Sequence, residues 1–593
     1  QHYLPILPDA ELVTNTVPFT QHEPGVKTID LKQLFPDGGR DEKLTVEYTN
    51  NPAWLTIQAL PYINNAREDN AISLATAYYA NSISAYLMQQ SPRIRSVFEQ
   101  WKREAGQESL KSSLEKNQEL KNIVLDETPW VADANRESDQ KQMLANYFYS
   151  STLANNLSTT LEKLRKLQST EDGSWCWWPG MKFGSVPVTT TVAETLVRLD
   201  KMTGKQKDTR KMLDAAMKFL GNRVVEEYEE IKKNEDKGAT PYVFVNNTVH
   251  YLYINALDGR QLSPKESEAA DYLLESLKKN NTALHLYYKA LMAVVLAKRG
   301  ETTLAEEYIK SLDEYTVETE EMGRYYDSPR TGYSWFDYSI PTQVTAIEAM
   351  TLVNAQGYAA SIEGMKRWLL MQKRVQGWDT PYNNVNAVYA FLNGNMAALE
   401  SKAETTFAID GKPLETPQAT AGLGYVKTTA EYEGGKALTV NKLSKGTSWG
   451  AIYGQSLCKT PSIESQSTAF RITREIIDAD GKPATALKVG DRVTVRITIQ
   501  ADRDYDYVQV KDKRAACMEP VRQLSGYRSG YYCAPKDNAT NYYFDRMSKG
   551  KHIIETEYYI DRAGRYETGT CTAQCAYAPE YSARAASVSV EIK

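Results

Sequence analysis

Residues Pro52 to Tyr86 read PAWLTIQALPYINNAREDNAISLATAYYANSISAY. Asp69 or Asn70 stands just before apolar positions at helical spacing: Ile72, Ala75, Tyr79, Ile83 and Tyr86. A short polar side chain at that place can accept a hydrogen bond from a backbone N–H of the first turn. The stretch therefore predicts a capped amphipathic helix behind a polar loop. What the helix belongs to depends on the sequence around it.

Downstream, to about residue 400, the pattern stays helical. SISAYLMQQ, SVFEQWKREA, LANNLSTTLEKLRKL, TRKMLDAAMKFLGNRVVEEYEEI and ALHLYYKALMAVVLAKRG each present one apolar face. In the last run Leu284, Tyr287, Leu291 and Val294 or Val295 mark it. Pro, Gly and Asp separate the runs, and no strand is expected among them. A motif recurs: GSWCWWPG from Gly173, GYSWFDYSIPT from Gly332 and GWDTPYNNV from Gly377 each precede a helix with small residues. Repeated helix pairs build solenoids or closed rings. The reading is an α/α toroid whose Trp side chains plug its mouth, with Gly letting the turns approach closely.

On either side the period changes to two. Before the helices, TVPF, KTIDL and KLTVEYTN read as strands, too few for a complete sandwich. After about residue 404, TTFAIDGKPL turns at Asp410-Gly411, and KALTVNKL and SWGAIYGQ follow. A longer β unit begins at FRITREII and turns at Asp480-Gly481. RVTVRITIQA follows, with Val493, Val495, Ile497 and Ile499 on one face. YDYVQVKD, YFDRMSKG, HIIETEYYI and ASVSVEIK complete an expected antiparallel sandwich of about six to eight strands.

The 593 residues exceed what one core usually serves. A net charge of −5, from 70 basic and 75 acidic residues without a basic stripe, does not suggest nucleic acid. No apolar run reaches the roughly 18 residues a membrane span needs. The chain begins at Gln1 with no signal-like segment, which reads as a mature or trimmed fragment. Four of the six Cys (Cys517, Cys533, Cys571, Cys575) fall near the end, as buried thiols or as disulfides of an exported β-domain. No second pair completes a zinc set with Cys571 and Cys575.

Catalytic patterns are sparse. There are 5 His and 39 Tyr, and no GxSxG elbow. His2, His22, His250, His285 and His552 read as solvated or core residues. A carbohydrate-active enzyme is the rival reading, because a toroid followed by a sandwich also describes polysaccharide lyases. VFVNNTVHYLYIN supplies Asn246, Asn247, His250 and Tyr251, and a hydrolase could draw on Asp337, Glu348 and Asp379. Each has a plainer reading, as helix face or turn.

Several stretches together carry a family resemblance. ALPYI…AYYANSI resembles the opening of the thioester domain in bacterial α2-macroglobulin-family proteins, where the intervening loop reads like YPYxCxEQ. MKRWLLMQKRVQGWDTPYNNVNAVYAFL is similar to the late segment of that domain. KLSKGTSWGAIYGQ resembles the strands after it, and GDRVTVRITIQADRDYDYVQVKDKRAACMEP the last macroglobulin-like domain. YFDRMSKGKHIIETEYYIDRAGRYETGT and AYAPEYSAR resemble that domain's ending.

The resemblance implies a multidomain α + β chain: an α/α toroid inserted in a CUB-like β-domain, then an antiparallel macroglobulin-like β-sandwich. The implied boundaries are a CUB-like first half at 1–53, the toroid at 54–403, the CUB-like second half at 404–463 and the sandwich at 464–593. Aligned without gaps, Asn70 stands where the thioester Cys belongs and Ser73 where the Gln belongs. Neither can form the bond, the first Cys being Cys176 in WCWW. The implied protein is non-catalytic, needs no cofactor or metal, and is exported to the periplasm or cell surface of a Gram-negative bacterium. Its implied partners are proteases, met through upstream regions and trapped without covalent capture. An envelope adhesion or scaffold role is the other non-enzymatic alternative. In relatives, aromatic residues of the last domain shield the reactive bond. Tyr527, Tyr531 and Tyr532 of SGYRSGYYC are the expected equivalents, packing against the loop at Arg67 to Asn70.

Overall fold

A computed structural model describes residues 10–63, 68–104, 147, 150–238, 240, 243, 245–279, 284–319, 323–327, 338–372, 378, 380–394, 399–400, 404–419, 421–478, 480–484, 486–576 and 578–593. His2, Arg67, Asp337, Asp379 and most of the GYSWFDYSIPT motif lie outside them.

Three strands, β1 (Ala10–Gln21), β2 (Gly25–Asp30) and β3 (Arg40–Thr49), precede the helices. A hairpin of β4 (Thr316–Thr319) and β5 (Gly323–Tyr326) lies within the helical stretch, where no strand is expected from sequence. Four residues per strand are too few to show a period of two, and β5 is held against a neighbouring helix. After the helices come β6 (Thr405–Ile409), β7 (Lys412–Pro413), β8 (Tyr425–Glu431), β9 (Ala437–Lys442) and β10 (Ser448–Lys459).

The two flanks pair across the whole helical insertion. One sheet runs β1-β10-β3-β8 and the other β2-β9-β6-β7. Ala10 lies opposite Lys459 and Gln21 opposite Ser448, an unbroken register that fixes where the chain leaves and re-enters the β-domain. Phe19, Leu44, Val46, Tyr48, Phe407, Leu438, Val440 and Ile452 fill the space between these sheets. Asp410 and Gly411 both have positive φ, 47° and 79°, as a two-residue hairpin turn whose twist matches its strands requires.

After two short helices, Trp54–Gln58 and Leu60–Ile63, the described helices are α1 (Ala71–Gln90), α2 (Pro92–Glu104), α3 (Ser150–Lys166), α4 (Val186–Thr203), α5 (Lys207–Glu235), α6 (Val245–Asp258), α7 (Pro264–Lys279), α8 (Leu286–Lys298), α9 (Thr302–Leu312), α10 (Ser339–Asn354), α11 (Ala359–Gln372) and α12 (Pro381–Leu392). α1, α4, α6, α8, α10 and α12 pack each against the next, and α12 returns to α1. α3, α5, α7, α9 and α11 form an outer layer. This is a closed α/α toroid.

Layering explains a departure from the sequence expectation. α1 and α8 do not have one apolar face. Leu74, Tyr78, Tyr79, Ile83 and Leu87 of α1 are all buried, and so is every residue of α8 from Ala290 to Leu296. An inner-ring helix has neighbours on all sides, so its apolar residues need no stripe. The Gly-Trp motifs have a local use. Trp175 donates its indole N–H to Leu164 O (3.1 Å) at the end of α3, and Trp378 does the same to Leu369 O (2.9 Å) near the end of α11. Each caps the outer helix before it, satisfying a carbonyl that the helix leaves open. Gly173 has φ +82°, and a Cβ there would lie 2.4 Å from Ala215 O, so only glycine fits this turn.

The last unit is two larger antiparallel sheets and a two-stranded one, Gly564–Glu567 with Ser589–Ile592, over one core. A seven-stranded sheet runs, in spatial order, Gln466–Ser467, Ser582–Ala585, Cys571–Cys575, Tyr505–Lys513, Ala539–Met547, Tyr531–Pro535 and Gly526–Arg528. A four-stranded sheet runs Arg471–Ile477, Arg492–Ala501, Gly550–Ile560 and Met518–Pro520. That exceeds the six to eight strands expected, because several of the extra strands are only two or three residues long. Val493, Val495, Ile497 and Ile499 face inward as their alternation requires. All six thiols are free and buried. Among the described residues no helix is long and apolar enough to cross a membrane.

Candidate functional site

Two places in the toroid hold functional-looking polar groups: the capped end of α1 and the ring's interior.

Asn70, not Asp69, is the cap. Its Oδ1 accepts from Ser73 N at 2.8 Å and its Nδ2 donates to Glu68 Oε2 at 3.1 Å. Asp69 turns outward and meets Lys163 Nζ of α3 at 2.8 Å. Ala71 N donates to Trp177 O at 3.1 Å, so the first Gly-Trp turn is seated against the start of α1. Cys176 is therefore close in the chain to that seat. Its buried thiol donates to Met181 O at 3.4 Å, and burial pushes its pKa up, away from the thiolate form. Trp178, Met181 and Phe183, on the same turn and the loop after it, are exposed.

Tyr527, Tyr531 and Tyr532 lie on the hairpin at one edge of the seven-stranded sheet. Tyr527 packs on Tyr532, and Tyr531 on Tyr542 and Phe544. The structure brings these rings together with their own sheet. Among the described residues no ring contact or hydrogen bond joins them to Asn70 or Ser73. The last unit touches the β-domain through Glu11 of β1, which accepts from Lys513 Nζ (2.6 Å) and Thr570 Oγ1 (2.7 Å), and the helical part through Met371 and the Lys549–Asp327 pair.

The ring's interior is filled by a charge network of which the sequence reading named only Glu348, as a candidate carboxylate. Arg198 of α4 is fully buried. Its Nη1 donates to Glu194 Oε1 (2.9 Å) and Asn386 Oδ1 (2.8 Å), and its Nε and Nη2 to Tyr253 Oη (3.1 and 3.0 Å). Tyr253 Oη donates onward to Glu348 Oε2 at 2.7 Å. Glu348 Oε1 accepts from Tyr389 Oη at 2.7 Å and pairs with Lys201. Tyr382 Oη donates to Glu194 Oε1 at 3.1 Å. Burial alone would raise the Glu348 carboxyl, but Lys201 and Arg198 outweigh it and hold it below its usual range. A signal was available: Glu194 and Arg198 stand i,i+4 within the otherwise apolar VPVTTTVAETLVRLDKMT.

Two cations balance two carboxylates here, and the carboxylate oxygens that face the network are engaged. The lyase candidates His250 and Tyr251 make separate contacts. His250 Nδ1 bonds Asn246 O (2.8 Å) and Nε2 meets Tyr287 Oη (3.2 Å), and burial lowers its pKa. Tyr251, the next residue, is turned toward Gly221 of α5. His22, His285 and His552 bond Thr447, the α8 N-terminus and Ser548 O respectively. Among the described residues no group of His, Cys, Asp or Glu could hold a metal ion.

Residues 470–580 match the family model of the bacterial Alpha-2-macroglobulin MG10 domain. No curated protein matches the chain. Among solved structures, the chain is similar to Salmonella alpha-2-macroglobulin reacted with methylamine (13% identity, 98% of this chain and 34% of that one, TM-score 0.37). It is similar to native Escherichia coli alpha-2-macroglobulin from domain MG7 to the C-terminus (12%, 98% and 82%, TM-score 0.38). It is also similar to the trypsin-activated Escherichia coli protein (12%, 98% and 36%, TM-score 0.44). The chain thus spans about a third of the Salmonella protein's length.

Proposed function

We propose, with the bacterial alpha-2-macroglobulin MG10 domain at residues 470–580 as premise, that this chain is the C-terminal part of an alpha-2-macroglobulin-like protein that responds to proteases without covalent capture. The boundaries 1–53, 54–403, 404–463 and 464–593 belong to this reading, as does export to a Gram-negative envelope.

The observation that carries the non-covalent part is the start of α1. In relatives that trap covalently, a thiol and a carboxamide condense at this turn. Here Asn70 spends its carboxamide oxygen on Ser73 N at 2.8 Å, and Ser73 offers a hydroxyl. A serine hydroxyl and an asparagine amide lack the sulfur that makes the acyl bond reactive. Without it, capture rests on domain motion in the parent protein. Tyr527, the exposed member of the hairpin, is the contact this reading assigns to the shielding of that turn in the parent's resting state.

Thiol titration in denaturant tests this. Before and after methylamine the chain is expected to release the same six thiols, with no mass added near α1. One thiol fewer before methylamine than after it overturns the reading. In the full-length parent, protease cleavage is expected to change hydrodynamic size without a denaturant-stable protease adduct. Nicking with no change in size argues against entrapment.

A further inference from the structure

A cavity of about 240 Å³ lies between α10, α11 and α12. Val344, Ile347, Ile362, Ala359 and Ala390 give it apolar walls. Lys366 lines it, with a side chain only 10% exposed. The ammonium has no hydrogen-bond acceptor among the described residues. Glu363, one helical turn back, is 3.9 Å away, and the Phe391 ring centroid is 5.8 Å away. Glu363 is itself drawn off by Thr447 Oγ1, which donates to its Oε2 at 3.0 Å. Glu348 also borders the cavity, but Lys201, Tyr253 and Tyr389 occupy its oxygens.

A nearly buried ammonium without a hydrogen bond among the described residues is costly: its N–H groups lose most of their water, and Glu363 at 3.9 Å and the Phe391 ring replace only part of it. Burial accordingly lowers the Lys366 pKa, with Glu363 opposing only in part. Surface lysines avoid the cost by extending into solvent, whereas Lys366 lines a largely apolar cavity that Glu363 and Glu348 also border. An anion that tolerates apolar walls would supply the acceptor.

We propose that this cavity binds a small organic acid, its carboxylate on Lys366 Nζ and its short apolar chain along Val344, Ile347 and Ile362. The charge-assisted bonds supply orientation, and the aliphatic lining supplies selection against ions without a chain. The cavity is too small for a sugar chain or a peptide segment of several residues.

Sodium butyrate is the probe, titrated into the intact chain by calorimetry and by methyl NMR against sodium chloride of equal ionic strength. Saturable binding is expected, with shifts at Val344, Ile347 and Ile362. Lys366→Met is expected to weaken it at least about ten-fold, the equivalent of one charge-assisted bond. That variant removes a buried charge and is expected to melt no lower than wild type, so lost binding cannot come from unfolding. Glu363→Gln removes the competing carboxylate and is expected to bind butyrate at least as tightly as wild type. Inorganic phosphate is expected to bind at least about ten-fold more weakly than butyrate. Any one of three results overturns the proposal: no saturable butyrate binding at tens of millimolar, equal affinity in Lys366→Met, or phosphate binding as tightly as butyrate.

Discussion

Glu348 in the toroid and Asp512 in the final β unit are both almost completely buried, and both lie beside a cation, yet their pKa values move in opposite directions. Glu348 is held below its usual range. Burial raises Asp512 despite Arg474 at 3.1 Å. The difference lies in the number of donors. Glu348 receives Lys201, Tyr389 and Tyr253. Asp512 receives Arg474 on one oxygen, and its Oδ2 has no hydrogen-bond partner among the described residues. Arg474 is divided among Thr568, Gly569 O, Ala586 O and Lys513 O as well. A buried carboxylate is stabilised by its full set of hydrogen bonds, and one nearby charge does not replace them.

The comparison can be tested at both ends. The largest effect is expected at the hub of the toroid network. Arg198→Met leaves Glu194 buried without its cation and should cost about 3–5 kcal/mol, read by denaturant titration. A loss under about 1 kcal/mol would mean that the tyrosine rings alone hold the interior. Glu348→Gln is expected to cost about 2–4 kcal/mol, since it loses the charge but keeps one acceptor. Asp512→Asn should cost less, below about 1.5 kcal/mol, because Arg474 keeps its carbonyl acceptors. If it costs more than Glu348→Gln, donor count is the wrong explanation.

The pH dependence sharpens the contrast, because the two signs are opposite. Glu348 has a depressed folded pKa, so its contribution is present above the usual glutamate range of about 4.3 and is lost as pH falls through the folded value. The gap between wild type and Glu348→Gln should therefore close with acid. Asp512 has a raised folded pKa, so its charge penalty is full above that value and disappears as pH falls toward the usual aspartate range of about 3.9. Wild type should gain on Asp512→Asn over the same descent. The smallest expected effect is at the cap: Asn70→Ala should cost about 1 kcal/mol and Asn70→Asp much less, since aspartate caps as well.

Legibility followed the kind of pattern each region carries. The alternation in RVTVRITIQA (Arg492–Ala501) and the Asp410-Gly411 turn follow local rules, so strand faces and hairpin were readable from sequence. Asn70 as a cap was readable for the same reason: its bond to Ser73 spans three residues. The 3.1 Å hydrogen bond between Tyr382 and Glu194 has no such trace, because those residues stand 188 apart in sequence. Lys366 read as part of a family segment, and nothing in MKRWLL distinguishes a solvated lysine from a buried one.

Sequence alone determined the main element types and their order, strands then helices then strands, though not the β4–β5 hairpin among the helices, because hydrophobic period and turn chemistry act over a few residues. It also determined that no cysteine stands at the start of α1. Only the tertiary structure decided that β1 and β10 close one sheet around the inserted toroid, which helices form its inner layer, and which charges there find partners. Those outcomes depend on contacts between distant segments, where burial sets the energy of a charge and the number of donors within reach decides its sign.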